Sequence, residues 1–262
     1  MRGLKRLWFF WRKPEPPPPP APEPPAPVVD PAIAELVDAG TDTVIEVGAK
    51  IRIKGRITGN RNRLIVGDAH AASTLTILIN GDDNVLELGR GCITKDTYIS
   101  IGNHVPASGC SVTVGSGTSF EPQCKILAPN HGNIVRIGSN CLISNTITFR
   151  AGDSPHLIFD RETGEYLDRT EGLFIGDHVW VGERSYVTKR ATVPDGCIVA
   201  ACAVVTKRFD ETNTVLAGNP AKVVKHNVEW VRNRTKIAPG SVHDEALKRF
   251  RREVSSRAKD PE

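Results

Sequence analysis

The sequence predicts an all-β solenoid of stacked short strands, and three observations predict it. From Ile175 onward every sixth residue is aliphatic: Ile175, Val181, Val187, Val193, Val199 and Val205. Four places after each of the first five comes Val179, Ser185, Ala191, Cys197 and Ala203, all small or β-branched. Six is a multiple of two but not of 3.6, so a helix would scatter these residues around its surface. A strand of four or five residues closed by a turn instead brings each aliphatic to the same inward point, with the small residue where the chain bends. The second observation is an aliphatic–glycine pair at Ile175-Gly176 and Val181-Gly182. It recurs upstream at Val47-Gly48, Val66-Gly67, Leu88-Gly89, Ile101-Gly102, Val114-Gly115 and Ile137-Gly138. The third is composition. Aromatics are 6%, there is a single Met, and glycines number 23, so Val, Ile and small residues must fill the core. That favours short strands and tight turns over helices. The strands of a two-sheet sandwich would not keep a six-residue clock from Ile175 to Val205.

Each part of the chain follows from this pattern. Residues 1–42 read as a tail and linker, 43–225 as the solenoid, and 226–262 as a C-terminal extension, partly helical. Arg2, Lys5 and Arg6 precede Leu7-Trp8-Phe9-Phe10-Trp11, and Arg12 and Lys13 close the run. That apolar stretch is too short for the h-region of a signal peptide or for a membrane span. Its tryptophans and cations suit residues 2–13 to a weak contact with an anionic membrane surface; the plain alternative is a sticky tail. Residues 14–31, PEPPPPPAPEPPAPVVDP, form an extended polyproline spacer, because proline fixes φ and removes the amide donor. The repeat starts near Thr43, and its phase slips upstream of Ile175, so loops interrupt the coils. After Lys225 the pattern stops. Residues 240–258 start from Gly-Ser and carry DEALKRFRREV, a short basic helix that would cap the open prism or pack on a neighbouring subunit.

Net charge is +4, much of it in the tails, with no arginine-rich run interleaved with aromatics, so a nucleic-acid partner is not expected. The six cysteines form no CxxC pair and no disulfide framework. Three fall at small inward positions of the repeat, which suits buried reduced thiols and a cytoplasmic protein, peripheral to the membrane if the tail binds it.

Between Ile147 and Ile175 the clock fails. The segment FRAGDSPHLIFDRETGEYLDRTEG is polar, carries His156 and is too long for a turn. Solenoids put functional insertions in such excursions.

From about Val85 to Trp230 the sequence resembles the hexapeptide-repeat acyltransferases, most of all the polysaccharide and sugar O-acetyltransferases. The resemblance implies a left-handed parallel β-helix with three hexapeptides per coil, an exception to the usual right-handed crossover. The excursion is similar to the family segment in which an arginine, a polar stretch with Asp-Ser and the active histidine occur in order. Here these are Arg150, Asp153, Ser154 and His156, followed in both by TGE, here Thr163-Gly164-Glu165. Pro155, directly before the histidine, departs from the pattern. The rung Asp177-His178-Val179-Trp180-Val181-Gly182 resembles the family's DHVWIG, at the interval from the histidine that the family keeps. The resemblance implies that His156 is the general base and that Trp180 walls the acceptor site. Asp153 is close enough in sequence to orient the ring or ionise beside it.

The chemistry asks for such a histidine. A hydroxyl must lose its proton as it attacks a thioester, and neutral imidazole accepts it near working pH. CoA thiolate leaves readily, so no covalent enzyme intermediate is needed. His178 matches no catalytic position and reads as structural or peripheral. His131, in PNHGN, reads as a turn histidine rather than a second base.

The resemblance also implies that acetyl-CoA is the co-substrate and lies along the last coils. Family members carry GAGS where this chain reads AACA, Ala200 to Ala203; alanine is small enough for close approach, but glycine-only dihedrals would be lost, which leaves room for a local rearrangement. Ala217-Gly218-Asn219-Pro220-Ala221-Lys222 resembles the family's AGNPA(K/R) ending. Gly182, Ala201, Thr206, Lys207 and Lys222 are the expected cofactor residues, the two lysines as point charges for the CoA phosphates. A homotrimer is implied, since the family places its sites between adjacent prisms, with a saccharide as acceptor. Three alternatives stay open. An N-acetyltransferase would act on an amino sugar or antibiotic. A trimeric scaffold would need neither the AGNPAK ending nor the His/Trp pair. A zinc enzyme on the same prism needs three converging histidines, and His70, His104, His131 and His156 lack the spacing. No metal is expected.

Overall fold

Inward aliphatics at a period of six make a prism rather than a globule, and the computed structural model is a parallel β-helix. It describes residues 35–38, 40–169 and 172–257. The basic aromatic segment 2–13 and the polyproline spacer 14–31 lie outside the described residues. Among the described residues the strands form three sheets of eight, seven and seven strands, and each coil adds strands to them. Strand Glu35–Asp38 lies within the stretch that the sequence assigns to the linker; it pairs in parallel with Ile51–Thr58. The third sheet begins at Ile93–Thr94. Ahead of it, strands Ile51–Thr58 and Ser73–Asn80 run for 8 residues each.

The core is the stack of inward side chains. Val47, Val66, Leu88, Val114, Ile137 and Ile175 are successive register partners on one sheet, so the aliphatic–glycine pairs found in sequence are one column. Ile101-Gly102 is the exception, since Ile101 stacks between Ile79 and Ala128 on a different sheet. Val181-Gly182 marks the third sheet, where Val181 stacks between Ile143 and Val199. The aliphatics from Ile175 to Val205 are all buried, and so are Val179, Ser185, Ala191, Cys197 and Ala203 at the bends. Each such aliphatic contributes roughly 1.5–3 kcal/mol by leaving water. Cys92, Cys110, Cys124, Cys141 and Cys197 are buried free thiols, and Cys202 is exposed. Burial pushes the Cys124 and Cys141 thiols up to about 11.

The ladder ends in a reversal. Strand Lys222–Lys225 turns back antiparallel on Val215–Ala217, so no further coil is templated. The C-terminal helix, Val242–Arg257, starts where Gly-Ser predicts. Asp244 N donates to Ser241 Oγ at 3.3 Å, and the Asp244 carboxylate accepts from Gly240 N at 2.8 Å, a reciprocal cap. The helix does not cap the prism, because none of its described side chains is buried, and Val242, Phe250 and Val254 are exposed.

Candidate functional site

The excursion leaves strand Thr148–Arg150 and returns at Leu173–Ile175. Its tip is a small hairpin in which Phe159 bridges Tyr166, their rings 5.6 Å apart. The TGE triplet forms the turn. The Asp160 carboxylate accepts from Thr163 N at 2.7 Å, from Thr163 Oγ at 2.9 Å and from Glu162 N at 3.0 Å, and Gly164 takes φ 70°. These bonds, the Thr163 amide first, hold the Asp160 carboxyl below its ordinary value. An apolar face of Leu157, Ile158, Phe159 and Leu167 is left exposed. His156 stands beside it, exposed, its amide donating to Asp153 O at 3.2 Å. The Ser154–Pro155 bond before it is cis.

The base of the excursion is polar and closed. Asp168 is buried at 3% exposure, and Lys189 Nζ lies 2.5 Å from its Oδ1 and 2.6 Å from Asp153 Oδ2. Asp168 Oδ2 accepts from Asp153 N and from Asn130 Nδ2, each at 2.9 Å. Asn130 Oδ1 in turn accepts from Ser154 N at 3.1 Å. Burial alone would raise the Asp168 carboxyl; the Lys189 ammonium and the two amide donors outweigh it and hold the group below its ordinary value. Burial likewise opposes the Lys189 charge, and the two carboxylates outweigh it and raise that group. Asp153 therefore spends its carboxylate on Lys189. Among the described residues no hydrogen bond joins that carboxylate to the His156 ring.

Trp180 is on another face, in the third sheet, paired between Leu142 and Ile198. It is 37% exposed, and its Nε1 donates to Ser144 Oγ at 3.2 Å. Trp230 of the C-terminal extension lies 6.3 Å from it, at 50°. The Trp230 ring stacks on His178 at 4.1 Å and 5°, and its Nε1 donates to His178 O at 2.9 Å. His178 Nε2 is 3.1 Å from Trp230 O, an acceptor only, so Nε2 carries the proton. His178 thus fastens the extension to the prism. Arg232 adds to the fastening by donating to Ser119 Oγ at 2.7 Å and Cys141 O at 3.0 Å. His131 accepts from Ser108 N at 3.0 Å, a turn role.

The last coils carry the expected cofactor residues. Gly182 N donates to Val199 O at 2.7 Å, and a Cβ on Gly182 would meet Ala201 N at 2.6 Å. Ala201, Thr206, Lys207 and Lys222 are exposed. Cys202 holds the left-handed corner at φ 60°, as Arg184 and Arg190 do at 59° and 66°, so the coil closes without a glycine. The AGNPAK ending is the reversal itself: Gly218 takes φ 97°, Asn219–Pro220 is cis, and buried Ala221 donates to Val204 O at 2.8 Å. A cavity of about 400 Å³ joins this region to the excursion, lined by Arg150, Asp153, Tyr186, Lys189 and Thr206 among others.

No family model matches the chain. Individual proteins do. The chain is 29% identical over 140 residues to a polysialic acid O-acetyltransferase of Escherichia coli O1:K1, covering 53% of this chain and 44% of the relative. To the putative lipopolysaccharide biosynthesis O-acetyl transferase of Escherichia coli K12 it is 32% identical, with 52% and 62% covered. To the polysialic acid O-acetyltransferase of Neisseria meningitidis it is 27% identical, with 66% and 87% covered. The chain thus spans about half the length of the first two relatives and most of the third. The crystal structure of a polysialic acid-specific acetyltransferase superposes with a TM-score of 0.70 at 25% identity, over 82% of this chain and 97% of that one. These similarities agree with the resemblance to the hexapeptide-repeat acyltransferases. The parallel solenoid is a left-handed β-helix, the fold it shares with that acetyltransferase structure.

Within one chain, the cavity brings Asp153 and Thr206 together, and the coil contact brings Gly182 to Ala201. His156 lies on the excursion, outside any sheet, and Trp180 on a strand of the third sheet. Sequence reasoning missed Lys189, Asp168, Asn130 and Trp230. Lys189 sits in a Thr-Lys-Arg corner that looks solvated, and Asp168 is one of several acids in a polar run, so neither carries a signal of its own. Trp230 carries one, as an isolated tryptophan in a polar tail.

Proposed function

We propose that this protein is an acetyl-CoA-dependent O-acetyltransferase acting on a saccharide hydroxyl, with His156 as general base. The observation that carries this reading is an exposed histidine on an excursion whose base shares one cavity with Thr206 of the terminal coils. The O-acetyltransferases among its relatives support the saccharide and the transfer. In the reaction the His156 imidazole takes the proton of the acceptor hydroxyl as its oxygen attacks the thioester carbonyl. The tetrahedral intermediate collapses to the ester, and CoA leaves as a thiolate that takes the proton back from the imidazolium. No covalent enzyme intermediate forms, because the leaving group is already good. Gly182 and Ala201 let the pantetheine arm approach the coil closely, and Lys207 and Lys222 meet the CoA phosphates.

A homotrimer completes the site. His156 stands on the excursion between strands of the first two sheets and Trp180 on the third sheet, so in a trimer the excursion of one copy would face the Trp180 sheet of the next and both would line one acceptor pocket. The apolar hairpin face of Leu157, Ile158, Phe159 and Leu167 supports that contact. The five buried thiols fit a cytoplasmic protein. Among the described residues no helix is long and apolar enough to cross a membrane. Contact of residues 2–13 with an anionic surface is part of the same proposal, and deleting them should release the protein from anionic vesicles.

The decisive experiment is acetyl-CoA turnover, read as thiol release against a panel of sugars and oligosaccharides, for wild type beside His156→Ala. Turnover with one acceptor that drops at least about 100-fold in the variant supports both reaction and base. A variant that keeps full activity removes His156 from the role. Transfer to amino sugars only would make the protein an N-acetyltransferase.

A further inference from the structure

An excursion that carries a catalytic base must be held in place, and a polar loop has no apolar core to hold it. Here two carboxylates from opposite ends of the excursion meet at one ammonium. Asp153 lies near the point where the chain leaves the prism, and Asp168 near the point where it returns. Lys189, from the corner after strand Tyr186–Thr188 of the following coil, reaches Asp153 at 2.6 Å and Asp168 at 2.5 Å. From the preceding coil, Asn130 donates to Asp168 and accepts from Ser154 N, and its Nδ2 lies 3.1 Å from the Tyr166 hydroxyl. The two ends are also tied to each other directly, through Asp153 N and Asp168 Oδ2 at 2.9 Å. A carboxylate buried as deeply as Asp168 persists only with such partners. Among the described residues no other turn of the solenoid buries a carboxylate, so the cluster is specific to the excursion.

We infer that Lys189 is a positioning residue for acetyl transfer: by clamping Asp153 and Asp168 it fixes both ends of the excursion and so the place of His156. This rests on His156 being the base. Lys189 acts through the loop and takes no proton from the acceptor. A histidine displaced by about an ångström loses on the order of 100-fold in rate without weakening donor binding.

The test compares Lys189→Met, Lys189→Arg and the double variant Lys189→Met/Asp168→Asn, which removes the buried charge along with its partner. Three readings are taken on the full-length protein: kcat and KM for acetyl-CoA, the rate of trypsin cleavage at Arg161 and Arg169 of the excursion, and the melting temperature. Expected are a kcat lower by about 10- to 100-fold in Lys189→Met at a KM within about two-fold, faster cleavage, and partial recovery of both in Lys189→Arg. The double variant should melt near wild type and still be slow, which separates positioning from general instability. Unchanged cleavage in Lys189→Met overturns the clamp, whatever the chemistry proves to be. Faster cleavage with an unchanged kcat overturns the positioning role. A raised KM at constant kcat assigns Lys189 to donor binding instead. Because cleavage needs no acetyl transfer, failure of the clamp and failure of His156 as base give different results.

Discussion

Adding a single methyl group at Gly182 tests how closely the terminal coils approach. Gly182 follows Trp180 by two places and faces the corner of the next coil. A Cβ there would sit 2.6 Å from Ala201 N, 2.8 Å from Val199 O and 2.9 Å from Ala200 C. Non-bonded carbon contacts settle near 3.5–4.0 Å, so the shortfall approaches about 1 Å. All three atoms are backbone, and no flexible side chain can give way. Gly182→Ala must therefore part the two coils, at the overpacking cost of about 1–3 kcal/mol. For a domain of this size each kcal/mol lowers Tm by roughly 2–4 °C, so a fall of several degrees is expected, with the denaturant m-value unchanged. CoA retention on the protein should weaken in the same variant. Gly164→Ala is the control. Gly164 has φ 70°, unlike Gly182, and nothing lies within 4 Å of its Cβ, so only the left-handed dihedral is charged, about 1–2 kcal/mol, and only to the hairpin tip. If Gly182→Ala melts within a degree of wild type, the coils are not in the contact described, and the reason for a glycine there is lost.

Two further predictions concern the excursion and the thiols. Asp168 is held below its ordinary value, so its contribution is present above the unfolded pKa near 3.9 and is lost as pH falls through the lower folded value. The amides of Asp153 and Ser154, corrected for intrinsic exchange, should therefore keep their hydrogen-exchange protection at pH 5 and lose it below about pH 4; protection unchanged to pH 2 would exclude the clamp as an ionic device. Cys202 is the exposed thiol and the other five are buried, so a disulfide reagent should modify one thiol quickly in the native protein and six after unfolding. Two or more fast thiols would contradict the packing at the bends.

The solenoid was legible because its physics is local and repeated. Each inward residue from Ile175 to Val205 meets the same demand, a buried aliphatic or a small residue at a bend, so periodicity alone reports it. AGNPAK and TGE stood out in the sequence only as resemblances; in the fold the first forms the reversal and the second the hairpin turn. AACA does without glycine for a local reason: one left-handed residue per corner is cheap enough here for Cys, Arg and Lys to supply it, as Cys202, Arg190 and Lys50 do. The clamp was not legible at all. Lys189 meets Asp153 and Asp168 across sequence separations of 36 and 21, and nothing in the local pattern marks a lysine that will lose its water.

The missing clamp also changes what Asp153 means. Proximity in sequence made it a partner for His156, two carboxylate oxygens waiting beside an imidazole. In the fold its oxygen is already spent on an ammonium, and its amide on Asp168. An acid that serves the loop in this way contributes to catalysis through geometry. Asp153→Asn, which keeps the amide and most of the shape but releases Lys189, should then lower kcat without moving the lower limb of the pH–rate profile. A direct partner of the imidazole would shift that limb to lower pH when its charge is removed, because an imidazolium next to a carboxylate holds its proton more tightly. The pH profile of this one variant therefore separates a residue that places the base from one that tunes it.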